Sequence, residues 1–190
     1  MAACGLISAG ISLSCANKLT GGVSPSVWLA NKDDIASWTK DGSNDMIVDL
    51  ITMVATKKFY LIEGKLKSAE PAARVVKGTY DNTWEHELKI RIFDITPTTL
   101  LQIQAMKDSQ IVAIVKNNSK GTAGNTKYDI YGLDAGMFIE ALERIPQNVE
   151  DAGAWNVTFK TQEYARESNA PYRLFDTDEA TTDAIIAALD

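Results

Sequence analysis

Histidine is nearly missing from this chain, cysteine is scarce, and no apolar run approaches the roughly 20 residues that a membrane-spanning helix needs. Each shortage excludes something. His86 is the single histidine, so a metal site built on several imidazoles is impossible. A Ser-His-Asp arrangement needs only one, but the Gly-x-Ser-x-Gly elbow that presents such a serine is missing. The two cysteines, Cys4 and Cys15, match no zinc-ligand spacing, and free thiols of an intracellular product are expected. Positive charge is also in deficit. Nineteen basic residues face 25 acidic ones, a net charge of -6, which argues against a nucleic-acid grip. An acidic surface suits a protein that stays soluble, or one that must not hold on to DNA.

The remaining chemical candidates are weak when read against their spacing. Gly121-Thr122-Ala123-Gly124-Asn125-Thr126 resembles a phosphate cradle, but lacks the Gly-Lys-[Ser/Thr] ending and leads into a strand rather than a helix. Asp176, Asp178 and Glu179 lack the full calcium-loop spacing, and acids are favoured at a helix start by the helix dipole. Glu140, Glu143, Glu150 and Asp151 form no acid–base pair. Trp84 and Trp155 fall on inward faces, so core packing is expected of them; Trp28 and Trp38 are left as the platform of an alternative sugar or small-molecule site. No metal, no cofactor and no catalytic residue is therefore expected, and the chain is not expected to be an enzyme.

What is present is β character. At 190 residues with 45% hydrophobic composition the chain suits one domain with one sizeable core. Residues 1–24 read as an N-terminal arm and residues 25–190 as a single β-rich domain. The opening MAACGLISAGISLSC is apolar, but no basic residue precedes Lys18, so it is expected to be an extended arm rather than a secretory signal. In the arm, Ile7, Ala9, Ile11 and Leu13 loosely alternate with Leu6, Ser8, Gly10 and Ser12, as a two-faced segment lying on a neighbour would.

Ser26–Ala30 reads as a strand. Lys32–Gly42 reads as one helical turn or an irregular excursion. Met46–Val54 is apolar and largely β-branched, so it reads as a strand, with Phe59–Glu63 as its hairpin partner. Gly64–Ala73 reads as a solvated loop and Arg74–Tyr80 as an edge strand. From Trp84 to Phe93, Trp84, His86, Leu88, Ile90 and Ile92 alternate with Glu85, Glu87, Lys89 and Arg91, the pattern of a half-buried strand. Thr96 caps a helix that Pro97 opens. Ile111–Val115 and Tyr128–Gly132 read as two strands around a long polar tip, Asn117–Asn125. Met137–Ile145 fits either a strand or a helix face. Trp155–Lys160 reads as a strand, Tyr172–Phe175 as a last short one, and Asp178 or Thr177 caps a closing helix. The pattern predicts a mainly β protein: a β-sandwich or barrel with a flanking α-helix and an extended N-terminal arm.

The run YDIYGLDAGMFIEALER, then a polar turn, then GAWNVTFKTQEYARESNAP, resembles tail-tube-like virion proteins of bacteriophages, especially those of Bacteroidetes hosts. The shared features are Gly132, Gly136 with Met137, the Gly153-Ala154-Trp155 strand start, and the loop from Glu163 to Pro171. The opening CGLISAGISLSC also resembles the start of such proteins. These are structural corners, not catalytic residues. The resemblance implies a virion structural protein, made in the host bacterial cytoplasm. It implies a tail tube subunit that self-assembles into rings, usually hexameric, which stack into a channel that DNA crosses without being gripped. It also implies that Met137–Ile145 is a strand. Partners are then other copies of the chain and other virion proteins, with no membrane span. The candidate interface residues are Leu6, Ile11, Lys65, Lys67, Asn117, Asn118, Lys120 and Asn125. Another virion component, such as a head–tail connector or a capsid accessory protein, is the main alternative. A carbohydrate-binding or small-molecule-binding β-sandwich follows, and a hydrolase using His86 comes last.

Overall fold

The computed structural model describes residues 9, 11, 21–79 and 81–190. Among these, β1 (Val23–Asn31) is followed by a single 3-10 turn at Lys32–Asp34 and by β2 (Ile35–Lys40). Next come β3 (Ile47–Met53), β4 (Tyr60–Ile62), β5 (Ala69–Lys77) and β6 (Asn82–Ile92). Helix α1 (Pro97–Met106) leads into β7 (Ile111–Asn117) and β8 (Tyr128–Tyr131). The chain closes through β9 (Phe138–Arg144), β10 (Trp155–Lys160), β11 (Tyr172–Leu174) and α2 (Glu179–Leu189). None of the described helices is long and apolar enough to cross a membrane.

The strands form a large sheet in the order β2-β3-β11-β8-β7-β1-β4 and a small sheet in the order β5-β6-β10-β9. Two cores result. Between the sheets, Val27, Leu29, Ala113 and Val115 of the large sheet meet Leu88, Ile90, Val157 and Phe159 of the small one, with Ile103 of α1 at the side. On the other face of the large sheet, Val112, Ile114, Ile130, Tyr172 and Leu174 are covered by Phe59 and by Ile186 and Leu189 of α2. Strand β7 serves both cores at once. That is why Ile111–Val115 is an unbroken apolar run rather than an alternating one. A mainly β, sandwich-like protein with helical cover is thus the architecture.

Three local expectations change and one left open is settled. The Lys32–Gly42 stretch is a turn plus strand β2, not an excursion; two register shifts against β3 break the period-two pattern that announces a strand. Phe59–Glu63 yields β4, but β4 pairs with β1 (Val27 opposite Ile62), at the far side of the sheet from β3. The cause is Phe59, which is wholly buried and whose N–H donates to the Leu189 carbonyl at 2.7 Å, drawing the link past the end of α2. The second half of the expected Gly64–Ala73 loop is already β5, where Pro71 is tolerated because an edge strand leaves one set of N–H groups unused. Met137–Ile145 resolves as strand β9, its periodicity blurred by a bulge opposite Thr158 and Phe159.

Both helix caps form where expected. The Thr96 hydroxyl accepts from the Thr99 N–H, and the Asp178 carboxylate accepts from the Thr181 N–H at 2.8 Å. Only Ile103 of α1 is fully buried, so packing contributes little and the cap matters more. Thr96→Ala is expected to cost about 1 kcal/mol of stability, read as a lower urea midpoint with an unchanged slope.

Candidate functional site

The chain enters the sandwich through Gly21 and Gly22, which line an open groove of about 810 Å³ between the two sheets. Lys67, Asn117 and Asn118 line it too, so three of the expected interface residues share one surface. Asn118 donates its backbone N–H to the Gly22 carbonyl at 3.1 Å. Asn117 donates its side-chain amide to Asp129 Oδ2 at 2.8 Å and to the Thr126 carbonyl at 3.1 Å. Asp129 also pairs with the Arg173 guanidinium. Burial pushes the Asp129 carboxyl above the usual carboxylate range, with Arg173 and Asn117 opposing. The charges at the groove floor are therefore already paired, which suits recognition more than proton transfer.

The other expected residues lie elsewhere. Lys65 is exposed, with its ammonium 4.6 Å from the centre of the Phe93 ring. Lys120 is ion-paired with Glu179 at 2.8 Å. Asn125 is half-buried, and its side-chain oxygen has no hydrogen-bond partner among the described residues. Ile11 is fully exposed, and Leu6 lies outside the described residues.

The loop from Asn117 to Asn125 is fastened rather than free. Lys127, almost fully buried, donates to Glu179 at 2.7 Å and to Asp183 at 2.6 Å, and the Tyr128 hydroxyl donates to Asp183 at 2.8 Å. These bonds clamp the N-terminal half of α2 to the loop stem. Gly124 makes the approach possible: a Cβ there would sit 2.7 Å from the Glu179 Cβ, at a φ of +90°. Gly124→Ala is expected to cost about 2 kcal/mol, seen in thermal melts, and to loosen α2 in hydrogen exchange.

A second polar cluster is buried beneath the Gly132–Gly136 corner. His86 of β6 is wholly buried. Its Nδ1 accepts from the Gly132 N–H at 3.1 Å, so its Nε2–H donates to the Asn169 carbonyl at 3.1 Å. Both ring nitrogens are committed to the backbone, and burial lowers the imidazole pKa to about 4. Glu167 is equally buried. Its carboxyl accepts from the Ala135 N–H at 2.8 Å and the Asp134 N–H at 3.1 Å, and burial raises its pKa to about 7. Its backbone exchanges two hydrogen bonds with Trp84, at 2.8 and 3.0 Å. Above them Tyr172 donates its hydroxyl to Asp134 at 2.9 Å, and Lys32 donates to the Leu133 carbonyl at 2.5 Å. The cluster therefore fixes a corner of the chain. Nothing in the sequence separates Glu167 from Glu163 in the same polar loop; its role appears only once the loop folds under the corner.

Trp28 and Trp38 are both half-buried against the second core. Trp28 meets Tyr128 edge-on at 6.0 Å, and the Lys32 ammonium lies 4.4 Å from the Trp38 ring centre.

The sheet edges differ in how they are guarded. Among the described residues β5 is flanked on one side only and carries Pro71, Arg74 and Lys77. Edge strand β9 carries Glu140, Glu143 and Arg144, and β2 ends on Lys40. Charge and proline on an edge discourage pairing with another chain. Among the described residues, edge strand β4, Tyr60-Leu61-Ile62, carries neither charge nor proline; its guards are its three-residue length and the Lys58 ammonium 5.6 Å from the Tyr60 ring centre, and Tyr60 and Leu61 are exposed. The chain matches no family model, no curated protein and no solved structure.

Proposed function

We propose that this chain is a structural subunit that assembles with copies of itself, a tail-tube-like virion protein whose rings stack into a channel for DNA. The observation that carries self-assembly is the exposed apolar pair Tyr60 and Leu61 on β4, the one edge strand among the described residues with no charge or proline of its own. An edge without charge or proline of its own stays open to side-chain contact with another chain, while its three-residue length limits the backbone pairing it can offer. The resemblance of Tyr128–Ala170 to bacteriophage tail-tube proteins supplies the kind of assembly. Of the corner that carries it, His86 fastens Gly132, and Glu167 fastens Asp134 and Ala135 between the two glycines. The net charge of -6 fits a channel that passes DNA without gripping it.

Light scattering after size exclusion, followed by negative-stain microscopy, tests this reading. Rings or tubes are expected, with mass rising with concentration. A monomer that persists at high concentration would overturn it. Closed rings that never stack would favour a head–tail connector instead.

A further inference from the structure

Between β4 and α1 lies a second groove, of about 540 Å³. Leu29, Leu61, Ile62, Met106 and Ile111 supply its apolar wall, with Tyr60 exposed beside them. No charged side chain lines it. Its open side is the edge of β4, which among the described residues pairs only with β1. The strand is too short to hold a partner through its backbone alone, so side chains entering the groove must supply the rest of the contact.

We propose that the segment Leu6–Leu13 of a second copy adds to the β4 edge as an extra strand and seats its apolar face in this groove. The proposal rests on the self-assembly reading above. Three observations point to this occupant. The chain carries no charged residue before Lys18, so a neutral segment meets a neutral groove. Within it Ile7, Ala9, Ile11 and Leu13 alternate with Leu6, Ser8, Gly10 and Ser12, which gives an apolar face for the groove and a small, mostly polar face for solvent. Ile11 is exposed to 102% of its reference area, so its side chain packs against none of the described residues.

The layout suits docking on a second copy. The chain enters at Val23, beside Asn117, whereas the groove lies at the Asn31 end of β1, beside Ile111. Along β1 these ends are about 26 Å apart. In a stack, a segment leaving that end of one subunit would be placed to reach the groove end of the next. Such a contact joins two different surfaces, so it repeats without closing.

Two full-length variants test the junction. Ile11→Asp spoils the inserted segment, at a residue that does not support its own fold. Leu61→Lys spoils the groove. Each alone is expected to lose long polymer, with the sedimentable fraction falling by about 10-fold, the loss expected when a central contact is removed. Mixed in equal amounts, an intact segment meets an intact groove, and the scattering mass should double over that of either variant. If Leu61→Lys unfolds by circular dichroism, Tyr60→Lys takes its place at a more exposed position. An Ile11→Asp chain that polymerises like the parent overturns the junction and leaves self-assembly standing. A mixture that gains no mass overturns it too. A parent chain that is itself monomeric fails earlier, at the proposed function.

Discussion

Glu167→Gln should gain about 3 kcal/mol of stability relative to the parent chain as pH rises from 4.5 to 7, and His86→Asn should gain a similar amount as pH falls from 6.5 to 4. The two effects have opposite signs for one reason: each group is buried in its neutral form. Folding raises the Glu167 pKa from 4.5 to about 7. Between those values the unfolded chain releases a proton that the folded chain keeps. The stability this group contributes is complete below 4.5 and is lost as pH rises through 7. Folding lowers the His86 pKa from 6.5 to about 4. Here the unfolded chain takes up a proton that the folded chain refuses. That contribution is complete above 6.5 and is lost as pH falls through 4. Each pH unit inside either window is worth about 1.4 kcal/mol.

In the parent chain the two slopes oppose each other between about pH 4.5 and 6.5. Removing either group uncovers the other. The quantity to read is the difference from the parent at each pH, because every other titrating group then cancels. Urea denaturation in steps from pH 4 to 8 supplies it. Parallel profiles for parent and both variants would show that neither group is buried as described, and the account of the Gly132–Gly136 corner would fall with it.

Phe59→Ala is expected to remove about 4 kcal/mol, the range for deleting a buried phenylalanine. The residue is wholly buried in the second core, and its N–H bonds the carbonyl of Leu189 at the end of α2. Truncation leaves a cavity where the β3–β4 link, the large sheet and the helix meet. Loss should therefore be felt first in α2, whose own buried anchors, Ile186 and Leu189, pack in that core. Hydrogen exchange should show α2 amides opening before those of β7. Uniform loss of protection across both cores would mean that the helix is not a separate layer of stability.

The segments that were readable are those whose partner is near in sequence or whose pattern is undisturbed. Strand β6 was legible because Trp84, His86, Leu88, Ile90 and Ile92 keep strict alternation over a full strand. Helix α1 was legible from Thr96 and Pro97, since a cap is a local bond. The edge position of β5 was legible in part, from Lys77 and Gly78. What failed to show was disturbed by bulges, as in β2 and β9, or rewritten by distant contact, as when Phe59 carried β4 to the opposite edge. The site followed the same rule. Lys67, Asn117 and Asn118 were chosen for their loops and do share a groove with Gly22, but Asp129, Tyr131 and Arg173 beside them carried no signal of their own.

By itself the order of residues determined that this is a β-rich chain with capped helices, an uncharged opening segment and a single histidine on an inward strand face. Those properties depend on backbone preference, on alternation and on composition, all of which act over a few neighbouring residues. Only the tertiary structure decided which strands lie at the edges, that β4 lies beside an uncharged groove, and that Glu167 and His86 share one buried corner. Strand pairing and burial depend on residues far apart in the chain, and no local pattern carries that information.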